Sequence, residues 1–187
     1  MPDNKTTFKL PNLLLIAGQQ QNVGKTTLAC KIISHFSRTN KIIAFKVSPH
    51  FHNDVGDASV VQTGDKWQIL EETSAETDKD TSRMLQAGAD KAYLLQADAE
   101  GLYDGFKALV NLVPKDYLIV CESAGIHEFV SPGVFLVLRQ LYCKICSIDD
   151  EKLFQKADRI VTYTVNGFDF FLDELDTEKY AWQLKKS

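Results

Sequence analysis

No apolar run in this sequence approaches the roughly 20 residues that a membrane-spanning helix needs. The opening Met1-Pro-Asp-Asn-Lys-Thr-Thr7 also lacks the apolar core of a signal peptide. Cysteine is scarce, four residues at irregular positions, so there is no disulfide framework, which fits a reducing compartment. The expected location is the cytoplasm. No sign of charge dominates either, since 21 Lys and Arg against 25 Asp and Glu leave a net charge of −4, interspersed along the chain. That balance favours neither nucleic acid nor an anionic membrane as a partner. Internal repeats and low-complexity segments are missing too. A length of 187 residues suits one well-buried domain and is short for two. The expectation is a single domain over 1–187, with about the first ten residues as a flexible N-terminus.

What is present is one informative stretch, Leu13-Leu-Leu-Ile-Ala-Gly-Gln-Gln-Gln-Asn-Val-Gly-Lys-Thr-Thr-Leu28. An apolar run from Leu13 to Ala17 breaks into a loop that ends in Gly24-Lys25-Thr26-Thr27, and Leu28, Ile32, Ile33 and Phe36 then recur at helical spacing. A strand, a turn whose N–H groups face inward and a helix N-terminus together make an anion cradle. The stretch therefore reads as a phosphate-binding P-loop. Gly24 lets the backbone approach the phosphates, Lys25 reaches the β- and γ-phosphates, and the Thr26 hydroxyl holds Mg²⁺. Gly18, Gln21, Asn22, Val23 and Thr27 complete the expected cradle. The strict G-x-x-x-x-G-K-[ST] pattern would put its first glycine at Gln19; here it is Gly18, so the loop is one residue longer.

Downstream, Lys41 to Val47 is β-rich and ends before Ser48-Pro49. Ala58 to Glu71 forms two β-rich runs around Gly64-Asp65, the best hairpin signal in the chain. Glu72 to Asp80 is polar and expected to be mobile. A short helix follows, capped at Asp80 or Thr81 and stopped at Gly88. Lys91–Gln96 is a strand, Ala97–Val113 has helical periodicity, and Tyr117–Cys121 is a central strand. Pro132–Leu138 as a strand, Asp149–Ala157 as a helix and Arg159–Tyr163 as a last strand follow, and the tail from Phe168 fits either a helix or a hairpin. Alternating elements with continuously apolar strands predict an α/β fold, a mainly parallel sheet with helices on both faces and an inserted β-hairpin at about 58–71. Ligands then bind beyond the C-terminal ends of the strands.

Mg²⁺ at a P-loop needs a carboxylate at the end of a neighbouring strand, because the ion keeps several waters that must be held. Glu122 is that candidate, and Asp116 sits at the wrong end of its strand. Lys46 is either a surface lysine or a cation for the γ-phosphate or an anionic substrate. His50 and His52 flank Phe51 and point the same way if the segment is extended; a plain loop is the preferred reading. Cys143-Lys-Ile-Cys146 has metal-ligand spacing, and with the two histidines it would make a four-ligand zinc set, but a single C-x-x-C is more often structural.

Gly18 with Val23-Gly24-Lys25-Thr26, and Ile119 to Cys121 followed by Glu122-Ser-Ala-Gly125, resemble the phosphate loop and acidic strand end of dethiobiotin synthetase. In layout the chain more closely resembles the molybdopterin-guanine dinucleotide biosynthesis adaptor (MobB-type) family of P-loop NTPases. The matching features are Gly24-Lys25-Thr26-Thr27-Leu28, Lys46 with His50 and His52, and Lys79-Asp80-Thr81-Ser82-Arg83 before Ala87-Gly88-Ala89, over roughly residues 12 to 126. The resemblance implies a P-loop NTPase fold, Mg²⁺ with ATP or GTP, a slow or partner-stimulated NTPase acting in cofactor assembly, a homodimer, and a cofactor-biosynthesis protein or small molecule as partner. It also implies that Asp80 and Arg83 lie near the nucleotide or partner; read from the residues alone, they are a helix cap and an exposed helix charge. Relative to that adaptor the hairpin is an insertion, and Glu122 is followed by Ser-Ala. No Asn/Thr-Lys-x-Asp segment marks guanine, and no second lysine lies between Gly18 and Asn22 as in the partitioning ATPases. The residues leave three readings open: a MobB-like NTPase, a dethiobiotin-synthetase-like ligase or kinase, and a non-catalytic protein whose shape nucleotide sets.

Overall fold

The structure is a computed structural model that describes residues 7–18, 23–51, 58–123, 125–140 and 148–185. Strand β1 (Phe8–Gly18) leads to helix α1 (Lys25–Phe36) and strand β2 (Ile42–Ser48). The hairpin β3 (Ser59–Gly64) and β4 (Trp67–Glu71) precedes helix α2 (Asp80–Gln86), strand β5 (Lys91–Ala97), helix α3 (Leu102–Asn111) and strand β6 (Leu118–Glu122). Then come β7 (Val130–Gln140), α4 (Ile148–Lys156), β8 (Arg159–Thr164) and the short β9 (Gly167–Phe168). The tail is a hairpin, β10 (Leu175–Glu178) with β11 (Ala181–Leu184).

Among the described residues the main sheet has nine strands in the order β3-β4-β5-β2-β6-β1-β7-β8-β9. The strands from β5 through β8 are mutually parallel, while β3, β4 and β9 add antiparallel edges. The hairpin expected as an insertion thus extends the sheet itself, through β4 against β5.

The period of two along each strand sorts its side chains to opposite faces. Leu14, Ile16, Ala44, Val120 and Leu136 pack with Leu28, Ile32 and Ile33 of α1 and Met84 of α2. Leu15, Phe45, Leu95, Cys121 and Val137 pack with Phe106 and Leu109 of α3 and Leu153 of α4 on the other face. Both faces are therefore covered, which is why β1 is fully buried from Leu13 to Ala17.

Three expectations need correction. The N-terminal stretch is not flexible to about residue 10, because β1 begins at Phe8, whose ring packs against Tyr103 at 5.1 Å and Phe106 at 5.8 Å. Residues 72–80 are ordered by a buried carboxylate. Glu72 is 6% exposed and accepts hydrogen bonds from the N–H groups of Thr73 and Ser74 at 3.1 Å and from Thr81 Oγ1 at 2.8 Å. The cap of α2 is Lys79, so Asp80 and Thr81 are its first helical residues and their side chains are released for other partners.

The tail closes the α1 face near the entry ends of the strands. Trp182 is 1% exposed, donates its indole N–H to the Ile119 carbonyl at 3.1 Å and meets Phe36 edge-on at 5.0 Å. No helix among the described residues is long and apolar enough to cross a membrane.

Candidate functional site

β1 lies at the centre of the sheet, between β6 and β7, and delivers the loop at its C-terminal end. Gly18 closes the strand against β7. A Cβ there would sit 3.0 Å from the Leu138 carbonyl oxygen and from Val23, so the position suits glycine. Gly24, at φ +89°, turns the chain into α1. The first turn of α1 has no acidic residue and no side-chain cap. Its leading N–H groups have no intrahelical acceptor and carry the positive end of the helix dipole, an arrangement suited to an anion. Val23 is 1% exposed and anchors the loop in the α1-face core.

Glu122 is the last residue of β6, in register with Ile16 of β1 on one side and Lys46 of β2 on the other. It is 2% exposed. Such a carboxylate must be paired, and two partners meet it: Thr26 Oγ1 donates to Oε2 at 2.7 Å, and Lys46 Nζ donates to Oε1 at 2.6 Å. Lys46 Nζ also reaches Asp80 Oδ2 at 2.7 Å. Arg83 lies one turn along α2, 3.8 Å from Asp80 Oδ1, and donates to Thr27 Oγ1 at 3.3 Å. Four segments far apart in sequence thus converge on one point beyond the strand ends.

The electrostatics follow from burial against pairing. Burial lowers the Lys25 pKa from the ordinary lysine value and the charge of Lys46 adds to the effect, outweighing the pull of Glu122 and Asp80. Burial would lower Lys46 as well, but the charges and hydrogen bonds of Glu122 and Asp80 prevail and its pKa lies above the ordinary value. For Asp80, burial works to raise the pKa, and Lys46, Thr26 and Arg83 outweigh it, so the carboxyl stays below the usual aspartate value. Lys25, Lys46 and Arg83 face two carboxylates, Glu122 and Asp80. By formal count that is one more cation than carboxylate, next to a helix N-terminus.

The hard oxygen donors Thr26 Oγ1 and Glu122, already 2.7 Å apart, fit Mg²⁺. Among the described residues no group of three or more His, Cys, Asp and Glu is arranged to hold a metal by itself. A cation held by these two oxygens would take its remaining ligands from phosphate oxygens and water, the usual manner of Mg²⁺.

Of the residues singled out in the sequence, Gly18, Val23, Gly24, Lys25, Thr26, Thr27, Lys46, Asp80, Arg83 and Glu122 all lie at or around this point. Gln21 and Asn22 lie outside the described residues, as do His52, Cys143 and Cys146. His50 is held in a tight turn, its N–H donating to Ser48 Oγ at 3.3 Å. Asp116 pairs with Lys41 at 2.8 Å on the surface, at the opposite end of its strand. Sequence reasoning missed the aromatic pair packed on the loop. The rings of Tyr163 and Phe168, with centroids 4.9 Å apart, flank Gly24. The Asn166-Gly167 dipeptide between them was a readable hairpin signal.

No protein-family model matches the chain, and no curated protein matches it. Among solved structures it is similar to LpxK from Aquifex aeolicus in complex with ATP, with a TM-score of 0.52 and 16% sequence identity over 89% of this chain. The match covers 53% of the LpxK chain, so this protein spans about half its length. At that identity the likeness speaks to fold alone, a mostly parallel α/β architecture with helices on both faces of the sheet.

Proposed function

We propose that this protein binds a nucleoside triphosphate with Mg²⁺ and promotes reaction at the γ-phosphate. The observation that carries the reading is the contact between Thr26 Oγ1 and Glu122 Oε2, 96 residues apart in sequence and 2.7 Å apart in space. The loop amides and Lys25 hold the phosphate chain. Thr26 and Glu122 hold the cation, directly and through its waters. When bound, Mg²⁺ supplies charge that neutralises the β- and γ-phosphate oxygens. Lys46 and Arg83 add cationic groups on the β2–α2 side, where charge gathers on the transferring group, and Asp80 fixes the direction of Lys46. In hydrolysis a water oxygen attacks the γ-phosphorus, the bond to the β–γ bridging oxygen breaks, and the nucleoside diphosphate leaves. With an acceptor bound, its oxygen replaces water.

The MobB-like role is supported by Asp80 and Arg83, which the family resemblance put near the nucleotide and which stand beside Lys46 and Thr27. The homodimer and the cofactor-assembly partner belong to the same proposal. The ATP in the LpxK structure supports ATP as the first nucleotide to test, and transfer to a small-molecule acceptor, as in a ligase or kinase, is the second reading.

The test is release of inorganic phosphate from ATP and GTP with Mg²⁺, by the wild type and by Glu122→Gln. Slow, acceptor-independent release that Glu122→Gln reduces by tenfold or more supports the NTPase reading. Turnover that appears only with an added carboxylate or hydroxyl acceptor supports the second. Equal phosphate release by wild type and variant contradicts both.

A further inference from the structure

Gly24 is pressed by two aromatic rings that no part of the phosphate and cation chemistry uses. A Cβ built on Gly24 would lie 3.3 Å from Cε1 and Cζ of Phe168 and 3.7 Å from Cγ of Tyr163. Tyr163 is the penultimate residue of β8 and Phe168 ends β9, its antiparallel neighbour. Their rings are tilted by 38° at 4.9 Å, and Lys31 Nζ of α1 lies 5.4 Å from the Phe168 centroid. Phe168 is half-buried against the α1-face core, whereas Tyr163 keeps 40% of its surface exposed. A large aromatic left open on the rim of a phosphate cradle has a ligand-facing surface.

The layout of the sheet gives that surface its direction. Glu122 ends β6 and Lys46 lies on β2, both on one side of β1, and Thr26 of α1 and Asp80 of α2 meet them there, so the cation and the terminal phosphate belong on that side. On the other side of β1 stand β7 and β8, so the opposite end of a nucleotide with its terminal phosphate at Glu122 would lie toward their C-terminal ends. There the chain offers the exposed ring of Tyr163, steadied by Phe168. A nucleobase presents a flat apolar face that stacks on such a ring whatever its hydrogen-bonding edge.

We infer that Tyr163, backed by Phe168, is the stacking platform for the nucleobase of the bound nucleotide. This rests on the nucleotide-binding reading above. Stacking by a phenol ring tolerates adenine and guanine alike, so the platform adds affinity for a nucleoside over bare triphosphate and leaves discrimination between bases to other groups.

The experiment is calorimetric titration of the full chain with Mg²⁺ and three probes: ATP, GTP and inorganic tripolyphosphate. The proteins are wild type, Tyr163→Ala, Tyr163→Phe and Lys25→Ala, each checked for folding by circular dichroism. The expected result is a loss of about 5- to 100-fold in affinity for both nucleotides in Tyr163→Ala. Tripolyphosphate binding should stay within about twofold of wild type, and Tyr163→Phe should retain nucleotide affinity. Wild-type affinity of Tyr163→Ala for ATP and GTP, alongside loss in Lys25→Ala, overturns the platform and leaves the P-loop reading standing. Equal loss for nucleotides and tripolyphosphate in Tyr163→Ala also overturns it, because the ring would then only shape the loop. Wild type that binds none of the three probes overturns the nucleotide reading itself.

Discussion

Replacing Lys46 by methionine keeps the bulk of the side chain and removes a cation that is ion-paired with two carboxylates. In the wild type its ammonium lies 2.6 Å from Glu122 Oε1 and 2.7 Å from Asp80 Oδ2. The Glu122 side chain is only 3% exposed, so in Lys46→Met it keeps the Thr26 hydroxyl and the nearby charge of Lys25 but loses its direct ion pair. Removing one partner of a fully buried pair costs about 3–5 kcal/mol. Lys46 at 23% and Asp80 at 37% exposure let water share the cost, so about 2–3 kcal/mol is expected for this cluster. For a chain of this length each kcal/mol moves the midpoint by about 2–4 °C. Thermal unfolding followed by circular dichroism should therefore fall by about 4–12 °C. The double variant Lys46→Met/Glu122→Gln, which leaves no unpaired buried charge, should recover at least half of that loss. A midpoint within about 1 °C of wild type in the single variant, or no recovery in the double, would refute the claim that Lys46 neutralises a buried Glu122.

The same cluster sets a pH window. Asp80 is lowered from 3.8 in the folded state, so its contribution is present above that value and is lost as pH falls through the folded value. Lys46 is raised from 10.5, so its contribution is present below that value and is lost as pH rises through the folded one. Urea midpoints measured across both limits should show both losses in the wild type and a smaller loss at each limit in Lys46→Met/Asp80→Asn. Gly24→Ala forces a side chain to φ +89° and within 3.3 Å of Phe168; a cost of about 1–3 kcal/mol in urea unfolding is expected, together with loss of triphosphate binding in the titration. Trp182→Ala empties a site that is 1% exposed and breaks its bond to the Ile119 carbonyl. A destabilisation of about 3–5 kcal/mol is expected, read from the same denaturation, with nucleotide affinity unchanged where the variant remains folded.

The features legible in the sequence were those whose signal is local. Gly24-Lys25-Thr26 sits between a strand run and a helix run, and Glu122 directly follows a continuous apolar strand, so motif and context could be read together. Lys46 could not be settled that way. Its meaning depends on Asp80 and Glu122, 34 and 76 residues downstream, which only the parallel pairing of β2, β5 and β6 brings near. Polar composition made residues 72–80 look mobile, because a sequence does not reveal that Glu72 is buried and satisfied by three donors. The tail could not be assigned for the same reason, since the partners of Trp182 are Phe36 and Ile119, remote in the chain. The pair Tyr163 and Phe168 was passed over although Asn166-Gly167 announced the turn between them; its place beside Gly24 depends on β8 lying two strands from β1.

The phosphate site is tested most directly by one titration, Mg²⁺-ATP into the folded wild-type protein and into Lys25→Ala, with and without the cation. Saturable binding that needs both Mg²⁺ and Lys25 is the predicted result. Folded wild type that takes up no heat-detectable ATP or GTP in the presence of Mg²⁺, or that binds equally well without Lys25, would contradict the assignment of Gly24-Lys25-Thr26 as the phosphate site.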